Sequence, residues 1–311
     1  SANTFSRTGI DRVAGLYVSN PGGVLVASAG RDVNLIAGVI ANSGQGGNTV
    51  IDARRNLNLG VVNTASSSAL VRDADNYLKD SQSAELGSQI QAAGNLRLAA
   101  GVDLNARAAS VQAQGALLAT AGNNVNITAG QKSNGYSFGL TTSESDLFSS
   151  TSTIERRASQ QASAVGASLG GNTITVVAGQ DISVKGSNIV SDSATTLIAK
   201  RNITVAAAQS SQASSSFKQT TTSGLLDGGG IGITIGTREQ SLAQQDQSTT
   251  AAASTVVSIG GNVTIMAGNQ YKQIGSDVVA PGGDITILAK KVDITESRET
   301  SASQTEQKFK Q

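Results

Sequence analysis

Apolar and polar residues alternate along this chain in short bursts, and the bursts recur. In GGNTITVVAGQDISVKGSNI, residues 170–189, Ile174, Val176 and Ala178 fall on one face of an extended segment. A turn at Gly179-Gln180-Asp181 follows, then Ile182 and Val184 share a face, and after Gly186 comes Ile189. Alternation over four to six residues is the mark of a half-buried strand. Other stretches repeat it: Leu96, Leu98 and Ala100, then Leu104 and Ala106, then Val111; or Leu25, Ala27 and Ala29, then Val33 and Leu35, then Ile40. The alanine before the turn recurs at Ala29, Ala53, Ala100, Ala121, Ala178, Ala199, Ala267 and Ala289. Uninterrupted neighbours lie 21 to 24 residues apart, so the unit is about 21 residues.

Three short strands in 21 residues cannot bury a face alone, but stacked copies can. The pattern therefore predicts an all-β fold, a right-handed parallel β-helix with one repeat per coil. The hand follows the crossover preference of parallel strands. Each coil rises one strand spacing, about 4.8 Å, so eight or nine coils give a rod on the order of 40 Å long. Like residues then stack, Ile174 with Thr195 and Ile182 with Ile203. Three residues after the anchor stand Asp32, Asn56, Asp103, Asn124, Asp181 and Asn202, an Asx column suited to turns and to a side-chain ladder. Two defects predict a local shift or bulge: Gln273 takes an inward position, and the turn near 290–294 is one residue short.

Three segments interrupt the register, near 62–90, 131–168 and 208–257, and a fourth starts near 297. They are rich in Ser, Thr and Gln, as in SSTSTIERRASQQASAV. Two contain short alternations, GYSFGL at 135–140 and GIGITIG at 230–236, and read as strands of hairpins that leave the rod and return, to pair with each other, to cover a face of the rod, or to make a contact surface. Loop closure costs grow slowly with length, so a solenoid tolerates such excursions. Tyr136, Phe138, Leu140, Phe217, Ile231, Ile233 and Ile235 are the candidate contact residues for a partner or a membrane. Alternating strands also build membrane barrels, but these runs of five to seven residues fall short of the nine to eleven that span. The chain as a whole reads as one repeat domain over 1–311, cut from something larger, because SSSFKQ at 214–219 opens one excursion and EQKFKQ at 306–311 opens another.

Composition narrows the chemistry. Aromatic residues are 3% of the chain, so the interior must be thin and filled by small branched side chains. The chain has no cysteine and no histidine, which removes thiolate chemistry and the commonest general base and metal ligand. A formal net charge of +1 provides no basic field for nucleic acid, and the pairs Arg54-Arg55 and Arg156-Arg157 read as solvated charge. The Asx column lacks the nine-residue glycine-aspartate spacing of calcium-binding repeats, so turn structure is its reading. A polysaccharide-active β-helix would draw on outward residues such as Arg97, Asp103, Asp181 and Lys185, without an aromatic platform for sugar. No catalytic, cofactor or metal site and no small-molecule substrate is expected.

The stretches RVAGLYVSNPGGVLVASAGRDVNL (12–35), ELGSQIQAAGNLRLAAGVDLNARAASVQAQGALLATAGNNVNITAG (85–130) and GGNTITVVAGQDISVKGSNI resemble the second haemagglutinin-repeat region of filamentous-haemagglutinin-like exoproteins. The likeness is greatest to the effectors of contact-dependent growth inhibition. It implies a secreted, surface-displayed filament of Gram-negative bacteria, exported by an outer-membrane two-partner transporter. It further implies a separate carboxy-terminal toxin, and a repeat region that helps carry it across the target cell's outer membrane. An adhesin rod presenting hairpins to a surface receptor is the alternative.

Overall fold

The computed structural model describes residues 2–227 and 233–311. Every regular element among them is a strand, and the short ones wind into a parallel β-helix. One coil illustrates the rest: Leu96–Ala100 forms a first face, Leu104–Arg107 a second and Ser110–Ala113 a third. Eight such coils stack among the described residues. The anchor alanines pair as the period requires, Ala29 with Ala53, Ala53 with Ala100, Ala100 with Ala121, Ala121 with Ala178, Ala178 with Ala199 and Ala199 with Ala267. Ile174 lies beside Thr195, and Ile182 beside Ile203.

The core is a set of columns inside the rod. On the second face Leu57, Leu104, Val125, Ile182, Ile203 and Tyr271 follow one another, all buried. Each side chain touches its like above and below, which close-packs the interior with few large residues. Ile182→Ala is therefore expected to cost roughly 2–5 kcal/mol, read as a lower denaturation midpoint. An unchanged midpoint would contradict the column.

The expected bulge near Gln273 is absent. Asn202–Ala206 pairs residue for residue with Gln270–Ile274, which pairs in turn with Lys291–Thr295. Gln273 keeps its inward place because its amide is satisfied: the Tyr271 hydroxyl donates to Oε1 at 2.8 Å and Nε2 donates to the Ser276 carbonyl at 2.5 Å. The missing residue comes out of the turn between Ile285–Leu288 and Lys291–Thr295.

The Asx column is a hydrogen-bonded ladder. Asp32 accepts from the Asn56 backbone N–H, Asp103 from Asn124 and Asp181 from Asn202, each at 3.0 Å. The intervening Asn56 and Asn124 accept from the N–H of Asp103 and Asp181 at 3.3 Å. Asp and Asn alternate over these six coils, so no two carboxylates are neighbours one strand spacing apart.

At the corner between the second and third faces the coils differ by turns. In one kind the chain bends sharply through a left-handed residue: Ala37 and Ala108 at φ 47°, Gly186 at 59° and Gly275 at 50°. In the other kind the second-face strand runs straight on and leaves the rod. Leu57–Val71 returns as Tyr77–Gly87, Gly130–Ser145 as Ser149–Val165, and Ala208–Asp227 as Ile233–Ala252. The two kinds alternate through the first seven coils, and the eighth leads into the outgoing strand Thr300–Lys310.

These hairpins pair with one another. Ala2–Thr8, the three hairpins in order and Thr300–Lys310 make one continuous eight-stranded antiparallel sheet. A hairpin is two strands wide and two coils are two strand spacings tall, about 9.6 Å in both cases. A hairpin on every second coil therefore tiles a sheet beside the rod with no gap. The sharp corner falls where the space beyond is taken by a returning strand: a Cβ on Gly87, at the end of the first hairpin, would lie 1.9 Å from the Ala108 carbonyl oxygen.

Candidate interaction surface

The projecting sheet is a single layer, and both of its faces carry solvent-exposed side chains. Residues paired across antiparallel strands point to the same face, so the register sorts every side chain. On the front face Leu70 is opposite Leu78, and Leu78 opposite Phe138. Tyr136 and Leu140 flank Phe138 on its own strand, and Phe5 lies one strand beyond, opposite Ser68. These six form an apolar patch, and Phe5 is 74% exposed; Leu86, Leu242 and Phe309 are further exposed apolar residues on the same face.

Of the candidate residues, Tyr136, Phe138 and Leu140 stand on this front face. Phe217 is on the back, opposite Arg156 and Ala243, and Ile235 is on the back opposite Leu225. Ile233 begins its strand, and Ile231 lies outside the described residues. The candidates thus divide between two surfaces, and the front patch draws on Phe5, Leu70 and Leu78, which the short alternations did not point to. Their strands alternate weakly, and only the cross-strand register brings them together.

The strands are longer than the runs of five to seven residues that the alternation marks. Tyr77–Gly87 has 11 residues, Gly130–Ser145 has 16, and Ala208–Asp227 and Ile233–Ala252 have 20 each. Serine and threonine, suited to strands when paired across a ladder, extend each strand well beyond its apolar part. Thr151 with Thr222 and Ser83 with Ser133 are such pairs, with hydroxyl oxygens 3.3 and 2.7 Å apart. The shortfall against a membrane-spanning strand is thereby removed. No helix among the described residues is long and apolar enough to cross a membrane, which bears on helices alone.

Charge on the sheet is sparse, and part of it is paired. Lys218 pairs with Glu155 at 3.3 Å and Arg156 with Asp75 at 2.7 Å. Lys79 lies over the Tyr77 ring, 5.1 Å from its centre. Exposed pairs of this kind contribute little stability. On the back face the small side chains of Ala158, Ala213, Ser215 and Ala302 leave a shallow open groove of about 540 Å³ beside Gln245 and Gln247.

Arg97, Asp103, Asp181 and Lys185 do not converge. Arg97 is on the outside of the first face and Lys185 ends a second-face strand. Asp103 and Asp181 are rungs of the Asx ladder, two coils apart. The Arg201 guanidinium, whose Nε donates to Asp181 at 3.1 Å, holds that carboxyl below its ordinary range, aided by the Asn202 N–H. Burial pushes the Tyr271 hydroxyl up, so it stays a donor inside the rod. Among the described residues no group of acidic side chains is placed to hold a metal ion.

With the rod and its sheet in view, the family follows. The model of the hemagglutinin repeat matches residues 71–168 and 148–311. This chain belongs to the hemagglutinin-repeat family. It is 35% identical over 306 residues to the tRNA nuclease CdiA of Escherichia coli (strain STEC_O31), covering 96% of this chain and 9% of that protein. It is 28% identical to the tRNA nuclease CdiA-2 of Burkholderia pseudomallei (strain 1026b), over 96% of this chain and 10% of that protein. Against the 16S rRNA endonuclease CdiA of Enterobacter cloacae subsp. cloacae it is 35% identical over 67% of this chain and 6% of the relative. No solved structure matches. The chain is a haemagglutinin-repeat region of a filamentous-haemagglutinin-like, CdiA-type exoprotein, and spans a tenth or less of those relatives' length.

Proposed function

We propose that this region is a non-enzymatic module of toxin delivery, in which the rod is a spacer and the projecting sheet meets the target cell's outer membrane. The observation that carries this reading is the continuous eight-stranded sheet, built from strands of up to 20 residues and carrying an apolar patch on one face. A scaffold alone would need none of it, because the sharp corners at Ala37 and Ala108 close a coil without any excursion. The toxin would be a separate domain of the longer protein, as the nuclease names of the relatives suggest. Export would use an outer-membrane two-partner transporter.

The test deletes residues 130–166 in the full-length effector, which joins Ala129 to Ala167 as a two-alanine corner matching Ala108-Ala109. The rod is expected to stay folded, target-cell attachment to persist, and delivery to fall at least tenfold. Unchanged delivery would end the proposal. Loss of attachment in step with delivery would favour an adhesin whose hairpins bind a surface receptor.

A further inference from the structure

The hairpin tips differ in a way that the coil pattern does not require. The first hairpin turns through residues 72–76 on polar groups, with the Asp73 carboxylate accepting from the N–H groups of Asp75 and Asn76 at 2.9 and 2.8 Å. That is ordinary turn chemistry. The second hairpin turns at Asp146-Leu147-Phe148-Ser149, closed by the Asp146 N–H donating to the Ser149 carbonyl at 2.8 Å. Its two central positions hold a leucine and a phenylalanine, 88% and 66% exposed. Large apolar side chains are poor turn formers and gain nothing from water there. A local rule broken at an exposed site points to a role outside folding.

The third hairpin extends this apolar end. The Leu225 N–H donates to the Phe148 carbonyl at 3.0 Å. Gly224, at φ 125°, lets the strand pass so close that a Cβ would lie 2.3 Å from the Phe148 carbonyl oxygen. Across the hairpin from Leu225 stands Ile235, 82% exposed. The outer end of the sheet, far from the rod, thus presents Leu147, Phe148, Leu225 and Ile235 side by side.

We infer that this end is a lipid-insertion tip, with Leu147 and Phe148 as the side chains that enter the hydrocarbon of a bilayer. Four side chains fall far short of the roughly 800 Å² per partner of a stable protein interface. Leu147 and Phe148 project into solvent from the turn, and hydrocarbon demands no complementary shape. The adjoining charges, Glu144 and Asp146, are acidic and exposed, so attraction to anionic headgroups plays no part. Burial of apolar surface is the driver, and binding to uncharged vesicles should be insensitive to salt. The inference rests on the proposed membrane role and names the atoms that would make first contact.

The chain has no tryptophan, so Phe148→Trp places a single indole at the tip. With vesicles of phosphatidylcholine and phosphatidylethanolamine, its emission should shift to the blue and be quenched by lipids brominated on the acyl chain. A tryptophan at Ser216, on the shaft of the third hairpin, should do neither. Leu147→Ser with Phe148→Ser should weaken partitioning at least about tenfold, with an unchanged denaturation midpoint confirming the fold. An unmoved Phe148→Trp spectrum, quenching at Ser216→Trp, or undiminished partitioning of the double variant would each overturn the tip. The delivery assay on the variant lacking residues 130–166 reports separately. Lost delivery without lipid contact refutes the tip alone, and lipid contact with intact delivery refutes the delivery role alone.

Discussion

Removing residues 89–109, a single 21-residue coil, is expected to damage this protein more than removing residues 110–187. The smaller deletion joins Ser88 to Ser110, positions that are in register because Gln89 pairs with Ser110. The rod itself would close. The sheet would not, because the deleted coil is the sharp-cornered one between the first two hairpins. Without it, the strand returning from the first hairpin and the strand leaving for the second emerge from one coil, where there is one strand spacing of about 4.8 Å to hold both. The eight residue pairs from Lys132–Ala84 to Gly139–Tyr77 cannot form alongside both hairpins, and their backbone hydrogen bonds are each worth on the order of 1 kcal/mol. The larger deletion removes one hairpin coil and one sharp-cornered coil together. It joins Ala109 to Asn188, which holds the register of Ser110 through Ser168. The first hairpin then meets the third at the correct spacing. Limited proteolysis and urea unfolding read the difference: the 78-residue deletion should unfold in one cooperative step and resist protease along its hairpins, and the 21-residue deletion should be cleaved in them. Equal behaviour of the two would show that the hairpins are independent of the coil count.

The coil was legible in the sequence because its signal is local and redundant. Inward residues such as Ile182, Val184 and Ile203 recur at one period, and each column repeats the evidence. That the excursions pair with each other was one reading of their alternation, but the continuous tiling of the hairpins was not legible, for two physical reasons. It depends on equality between the width of a hairpin and the rise of two coils, which is a distance and leaves no trace in any one strand. Its strands are held by backbone hydrogen bonds and hydroxyl ladders, so their apolar alternation covers only part of their length, as at Tyr136, Phe138 and Leu140 within Gly130–Ser145. Ala37 and Ala108 also hid the sharp corners, because a left-handed residue is expected to be glycine or asparagine. One signal was present: the Asx column runs Asp32, Asn56, Asp103, Asn124, Asp181, Asn202, with aspartate on sharp-cornered coils and asparagine on hairpin coils. That alternation states the two-coil period. The Leu147-Phe148 turn broke turn chemistry in plain view, but only a defined hairpin makes it a tip.

Gly87→Val should be among the most damaging single substitutions in the chain, although the residue is in a hairpin and not in the core. Gly87 ends the strand that returns from the first hairpin, opposite Val61, and abuts the sharp corner of the next coil. A Cβ there would lie 1.9 Å from the Ala108 carbonyl oxygen, 2.4 Å from its carbon and 3.0 Å from the Ala109 nitrogen. All three are backbone atoms, so no side-chain rotation relieves the clash. The corner itself has no slack: Ala108 already holds φ at 47°, a conformation that costs a non-glycine residue about 1 kcal/mol or more. Relief must come from shifting the returning strand, which carries Glu85, and Glu85 ties the structure together by accepting from Arg107 at 2.7 Å and from the Gln131 N–H at 2.7 Å. The substitution thus strains rod and sheet at their joint, and a loss of about 3 kcal/mol or more is expected in urea unfolding. Gly30→Val is the matched control, since a Cβ on Gly30 meets nothing within 4 Å. It should change stability by less than about 0.5 kcal/mol. Equal midpoints for the two variants would mean that the joint yields freely, and the sheet would then be a loose appendage of the rod.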